Sequence, residues 1–180
     1  MLLAAVFVSE AANEQVLAFQ LGSKYYFMNT SMNHTHYVRL IVMTVLSFLA
    51  MYMLMYAMVD RFANVFPNLN QFYMAGLMAS PMVLIEIFLM TAMYPNKKWN
   101  ALILGVSAVA LILFWFGIRQ QAAISDKQFL KSMIPHHAGA ILMCEKASIH
   151  DREIKDLCRQ IISSQRREID QMKAKLNELH

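Results

Sequence analysis

The sequence predicts an all-α protein in which three transmembrane helices precede a C-terminal helical hairpin. Its 180 residues are 58% hydrophobic and include sixteen methionines, a composition unlike that of an ordinary water-soluble chain. Three long apolar runs come first, and a charged segment with helical hydrophobic periodicity comes after them. We therefore expect an N-terminal extension over residues 1–37, a membrane region over 38–119 and a hairpin domain over 125–180.

The N-terminal extension has an apolar start without the basic segment of a signal peptide. Glu10 and Glu14 then interrupt its apolar character. We expect this extension to be weakly ordered or amphipathic.

Each apolar run is long enough to cross a hydrocarbon core of about 30 Å as a helix. Residues 40–59 and 101–118 contain no charged side chain, and residues 72–94 contain only Glu86. A carboxylate near the middle of a span costs about 2.5 to 3.5 kcal/mol on insertion scales. We therefore expect Glu86 to face the bundle interior, either neutral or hydrogen-bonded to Ser or Thr. The lipid bilayer is a predicted partner.

Methionines recur at helical spacing along the second run, which also contains Pro81. The stripe consists of Met74, Met78, Met82, Glu86, Met90 and Met93. Because methionine is a pliable filler, such a stripe indicates packing more often than an ion path. Pro81 predicts a kink in this helix.

The basic residues near the three runs are divided almost equally between the two sides of the membrane, so their number gives little information on orientation. The Lys97-Lys98 turn is the shortest and densest basic cluster between the spans, which favours a cytoplasmic turn and an external C-terminal domain. That domain holds ten Lys or Arg and eight Asp or Glu, a mixed-sign surface that does not suggest a nucleic-acid partner. Two cysteines without a CxxC motif leave the redox compartment open.

The C-terminal segment predicts two antiparallel helices. Ser125 and Gln128 fit a capping box for a helix from 126 to about 148, and Pro135 predicts a kink within it. Asp151 can cap a second helix from 152 to about 179. A fold-back at residue 151 places Cys144 opposite Cys158 and His137 opposite Gln165. The predicted inner face of the second helix consists of Ile154, Leu157, Ile161, Gln165, Glu168, Met172 and Leu176.

Candidate metal ligands crowd into a dozen residues of the first of these helices: Met133, His136, His137, Met143 and Cys144. Imidazole, thioether and thiolate suit a soft or borderline ion such as copper, although packing is an alternative. We expect His137 to be the principal imidazole ligand, with Met133 and Met143 as thioethers and Cys144 as a thiolate. The second helix brings Glu168 and Met172 towards the same end. The two histidines diverge by about 100° on a helix, so one should bind while the other orients it or reaches a neighbouring chain.

The hairpin also carries a spaced pattern that runs over both helices. It reads Phe129-x3-Met133-x2-His136-His137-x2-Ala140-Ile141-x-Met143, then Glu153-Ile154-x2-Leu157 and Ile161-x3-Gln165-x2-Glu168-Ile169-x2-Met172. This pattern resembles the domain of unknown function 305 family. The resemblance implies a ferritin-like helical fold, an extracytoplasmic place in bacteria and, in some members, copper binding and copper tolerance. Soluble members often contain two such hairpins, whereas this chain has one behind three spans.

We therefore expect a membrane-anchored, extracytoplasmic metal-binding protein of a bacterial plasma membrane that sequesters or transfers copper or confers tolerance to it. Copper is the expected metal ion. A homo-oligomer is also expected, because two hairpins together would make a four-helix bundle. One alternative is a purely structural oligomerisation domain. The less favoured alternative is a ferritin-like metal oxidase, because the chain contains no Glu-x-x-His motif.

Overall fold

The computed structural model describes residues 35–179, which form an all-α chain without strands in that range. The prediction for the N-terminal extension lies outside the described residues, apart from its last three positions, which are already helical. Helix α1 spans Thr35–Met58 and ends in a 3-10 turn. The later helices are α2 (Leu69–Leu89), α3 (Lys97–Arg119), α4 (Asp126–Lys146) and α5 (Arg152–Glu178). Both Pro81 and Pro135 lie inside helices that continue past them.

Helices α1, α2 and α3 are long and apolar enough to cross a membrane. Helix α2 is the most enclosed of the three, with 33% of its most apolar window buried against 6% for each neighbour. It packs closely on α3 because Gly76 leaves room for the ring of Phe114, with which a Cβ at that position would collide. Helix α1 adds an edge-to-face contact between Phe48 and Phe72, whose ring centroids are 5.2 Å apart.

Glu86 lies near one end of the membrane region and not in the middle of a span. The apolar run continues to residue 94, but α2 ends at Leu89, so Glu86 lies in the last turn of the helix. Its Oε1 accepts a hydrogen bond from the Tyr94 hydroxyl at 3.3 Å. The expected mid-span position and the expected Ser or Thr partner are therefore wrong, whereas a neutral carboxyl group stays a prediction. The hydrogen-bond partner of Glu86 is Tyr94, which follows the end of α2.

Helices α4 and α5 form the predicted antiparallel hairpin, joined by residues 147–151. Asp151 caps α5 as predicted, because its Oδ1 accepts the Ile154 N–H at 2.9 Å. Ser125 is the N-cap of α4 as predicted, but the capping box is not formed, because the Ser125 side chain makes no capping hydrogen bond to any described residue. The Gln128 side chain instead contacts α2, where its Oε1 accepts a hydrogen bond from the Leu69 N–H at 3.2 Å. This N–H belongs to the first turn of α2 and has no partner within the helix.

A disulfide between Cys144 and Cys158 closes the hairpin near its turn. The two Cα atoms are 5.3 Å apart, so the register predicted from a fold-back at residue 151 is confirmed for this pair. The cysteines are 14 positions apart in the sequence. In the chain-entropy account, a disulfide across a loop of that size contributes about 3 kcal/mol to stability.

The inner face of α5 begins later along the helix than the sequence predicts. Ile169 and Leu176 are buried, whereas Ile154 and Leu157 are 49% and 53% exposed. The disulfide sets Cys158 opposite Cys144, and α4 ends two residues beyond Cys144. The first turn of α5, with Ile154, therefore lies opposite the irregular connection rather than opposite a helix. Leu157 lies opposite the last turn of α4, but its side chain remains largely exposed.

One hydrophobic core joins the hairpin to the membrane region. Its buried residues are Ile134, Ala138, Ile141, Ile169 and Leu176. Val59 and Phe66, from the connection between α1 and α2, pack against this cluster. Full burial of an aliphatic side chain contributes about 1.5 to 3 kcal/mol, and the fully buried Ile134 and Ile141 stabilise the hairpin together with Ile169 and Leu176, while Val59 and Phe66 extend this core to the preceding connection. The hairpin is thus held at the end of the three apolar helices that lies away from the Lys97-Lys98 turn.

Candidate metal centre

A cavity of about 360 Å³ lies where α4 meets the adjoining ends of α1 and α2. Among the described residues, no Asp, Glu, Lys or Arg side chain lines it. The polar groups in its wall other than a histidine are the side chains of Asn68, Asn70, Gln71 and Ser132. Its wall also contains one imidazole and five thioethers, from His136, Met55, Met58, Met74, Met133 and Met143. Five of the ten donor side chains in the wall are therefore soft thioethers.

Helix α4 contributes Met133, His136 and Met143 to this wall. Positions three and seven apart lie on the same side of a helix, which explains why these three side chains share a face. The adjacent face carries Ile134 and Ile141 into the hydrophobic core. The core contact thus sets which side of α4 faces the cavity. The predicted combination of Met133 and Met143 with His137 is not found, because His136 lines the cavity with them.

His137 lies on another side of α4 and faces α5. Its side chain is 13% exposed, and its Nδ1 lies 3.0 Å from Oε2 of Glu168, within ion-pair distance. The two groups are not aligned for a hydrogen bond, and the buried Nδ1 makes none with the described residues. The rings of the two histidines are 6.0 Å apart and inclined at 61°.

Burial lowers the pKa of His137 below its ordinary value because desolvation disfavours the charged imidazolium. The Glu168 carboxylate acts in the opposite direction, and the neighbouring His136 lowers the pKa further. The net direction is downward, so the imidazole is neutral at neutral pH. His137 and Glu168 therefore form a polar contact between the two helices of the hairpin, and neither residue lines the cavity.

The remaining predicted ligands lie outside the cavity. Cys144 is bonded to Cys158, so this oxidised form lacks the thiolate that the sequence suggested. Met172 packs against the hydrophobic core beside Ile169 and Leu176. Within residues 35–179, no group of three or more His, Cys, Asp or Glu side chains is placed to hold a metal ion. The donors that the fold does gather are thioethers and one imidazole.

Hydrogen bonds hold the two sides of the cavity in register. The Asn70 side-chain amide donates to Oγ of Ser132 at 3.2 Å, and that of Asn68 donates to the Lys131 carbonyl at 3.4 Å. At Gly139, α4 lies beside the end of α1, and a Cβ there would be in ordinary van der Waals contact with the Met58 carbonyl oxygen at 3.4 Å. The docking of α4 on the membrane helices is therefore both polar and apolar.

Met55, Met58 and Met74 were missed as site residues because their spacing is equally consistent with membrane packing. Met55 and Met58 end α1, and Met74 lies in the second turn of α2. Successive membrane helices are antiparallel, so the end of one adjoins the start of the next. That adjacency was a usable clue, but the sequence does not reveal that α4 docks against the same end.

The fold and the cavity define an all-helical protein with three candidate membrane spans and a docked two-helix domain. Residues 118–176 match the family described as Domain of unknown function (DUF305). The chain is also 35% identical over 154 residues to "Uncharacterized protein L153" of Acanthamoeba polyphaga mimivirus, an alignment that covers 84% of this chain and 95% of that protein. The chain therefore belongs to the DUF305 family, which confirms the resemblance seen in the sequence. No solved structure matches it.

Protonation of His137 should loosen the hairpin. Because its folded pKa is depressed, its contribution to stability is complete above the ordinary pKa of about 6.5 and is lost as the pH falls through the folded pKa. We expect hydrogen exchange in α4 and α5, corrected for the intrinsic rate, to be faster at pH 5.5 than at pH 7.5. His137→Gln should remove most of this difference, and the control His136→Gln should keep it. An undiminished pH effect in His137→Gln would contradict this assignment.

Proposed function

We propose that this protein is a membrane-anchored metal-binding protein that takes up copper as Cu(I) through Met133, His136 and Met143. The observation that carries the proposal is that these three side chains of α4 line one cavity. Thioether and imidazole donors suit Cu(I), whereas Mg²⁺ and Ca²⁺ require oxygen ligands and usually carboxylates. Among the described residues, the cavity wall offers thioethers and an imidazole beside amide and hydroxyl oxygens, and it contains no carboxylate.

The exposure of the donors fits a protein that sequesters or transfers copper better than one that stores it permanently. Either activity would give tolerance to copper. Met143 is 54% exposed, and His136 is also exposed. An ion held by accessible donors can be loaded and released without opening the core. A ferritin-like oxidase is less well supported, because that chemistry uses clustered carboxylates and Glu-x-x-His pairs.

His136→Ala should lower the affinity of the full-length protein for Cu(I) by about tenfold or more, the size of loss typical when a metal environment is disturbed. Alanine is a good helix former, so α4 should remain helical. The measurement is competition with a Cu(I) chelator on protein in lipid nanodiscs. The matched control is His137→Ala, which removes the same group from the side of α4 that faces α5 and should have a smaller effect.

A larger loss in His137→Ala than in His136→Ala would contradict the assignment from the cavity and favour His137 as the principal ligand. If the wild-type protein did not bind Cu(I), the proposed function would be wrong. The structural alternative, an oligomerisation domain, would then be the better account.

We also propose that the hairpin lies in an oxidising, extracytoplasmic compartment. The disulfide between Cys144 and Cys158 supports this, because disulfides are rare in reducing compartments. The relative from a mimivirus gives no support to a bacterial plasma membrane, so that part of the localisation stays a prediction. Alkylation of free thiols in intact cells, followed by mass spectrometry, should find both cysteines protected until a reductant is added. Free thiols in untreated cells would contradict the assignment.

Two hairpins are proposed to pair into a four-helix bundle. Ile154 and Leu157 support this, since they form an exposed apolar surface on the first turns of α5. Native mass spectrometry of the full chain should detect a dimer, and Leu157→Glu should shift the population towards monomer. Lys155→Glu is the matched control, because it changes charge on an exposed neighbouring position without removing apolar surface. A wild-type monomer would exclude this assembly.

A further inference from the structure

Methionines of the first two apolar helices line the same cavity as Met133, His136 and Met143 of the hairpin. Met55 and Met58 come from the end of α1 and Met74 comes from the start of α2, whereas Met133, His136 and Met143 come from α4. The three membrane methionines lie outside residues 118–176, which match the family. The cavity therefore combines donors of the family domain with donors that belong to the membrane part of this chain.

The chemistry of the wall restricts which ion such a composite site would hold. Five thioethers and one imidazole are neutral and predominantly soft, and the described lining residues contribute no anionic group to balance a divalent charge. Thioethers select Cu(I) over the divalent first-row ions, and Ag(I) is equally monovalent and soft. Zn²⁺ sites in proteins use thiolate, imidazole and carboxylate, of which only imidazole is present in the wall.

The two sides of the cavity are held together independently of any ion. Asn70 bonds to Ser132, the Leu69 N–H bonds to Gln128, and Val59 packs on the hairpin core. The residues that carry the donors thus line one cavity before an ion arrives, although the flexible methionine side chains still have to adjust. Met58 and Met74 are 54% and 37% exposed, so an ion could reach them from the cavity mouth.

We propose that Met55, Met58 and Met74 complete a monovalent soft-metal site whose ligands come from both the membrane helices and the hairpin. This inference rests on the proposed function and deepens it. The bound ion lies at the junction between the membrane region and the hairpin domain, so its binding strengthens the docking of α4. The membrane part is then a contributor to the site and not only an anchor.

The test compares two triple variants of the full-length protein in lipid nanodiscs, titrated with Cu(I) and with Ag(I), which is not readily oxidised or reduced. Met55, Met58 and Met74 are changed to leucine in one variant. The matched control changes Met53, Met90 and Met93 to leucine, which removes the same number of thioethers from exposed positions outside the cavity wall. We expect the first variant to lose about tenfold or more in affinity and the control to bind as the wild type does.

A second measurement needs no variant that could misfold. In wild-type protein with 13C-labelled methionine methyl groups, Ag(I) should shift the resonances of Met55, Met58 and Met74 and leave those of Met53, Met90 and Met93 in place. Shifts confined to Met133 and Met143, or unchanged affinity in the first triple variant while binding still depends on His136, would overturn this inference and leave the proposed function standing. Failure of the wild type to bind either ion would overturn both.

Discussion

The packing of α4 against a shared hydrophobic core is the contact on which the other features of the molecule depend. Ile134, Ala138 and Ile141 are fully or almost fully buried, and Val59 and Phe66 of the membrane connection close the same core. Once this face of α4 is committed to the core, the rotation of the helix about its axis is determined. The sides that carry His136 and His137 must then point in different directions.

That rotation separates the crowded ligand types of the sequence into groups with different environments. His137 meets Glu168 across the hairpin, Cys144 is bonded to Cys158, and Met172 joins the core. Of the predicted ligands, Met133, His136 and Met143 face the cavity. A stretch that looks like one ligand set therefore serves packing, covalent closure and a candidate metal centre together.

The polar junction explains how a small hairpin keeps a defined position on the membrane region. Amide side chains of Asn68, Asn70 and Gln128 satisfy groups on the facing element, and Gly139 lies within van der Waals distance of the end of α1. Each neutral hydrogen bond contributes only about 0.5 to 1.5 kcal/mol, so these bonds set the register, while Val59 and Phe66 add apolar contact with the hairpin core. The same arrangement brings the methionines of both parts around one space.

Local pattern in the sequence was enough for the elements and for much of their pairing. Run length and the absence of charge determined the three candidate spans, because a helix that crosses lipid needs about 20 apolar residues. Periodicity and Asp151 determined the hairpin, and its register placed Cys144 opposite Cys158. The spaced pattern of α4 and α5 was sufficient to place the chain in its family.

The tertiary structure alone decided which histidine faces the cavity. Neighbouring side chains on a helix differ in direction by about 100°, and the rotation of α4 about its own axis is determined only by which of its faces is buried. The structure also shows that Glu86 lies at a helix end beside Tyr94, because α2 ends at Leu89 although the apolar run continues. Met55, Met58 and Met74 joined the site for a related reason. Their meeting with α4 depends on where the hairpin docks, and that docking rests on contacts between segments distant in the sequence, which no local pattern encodes.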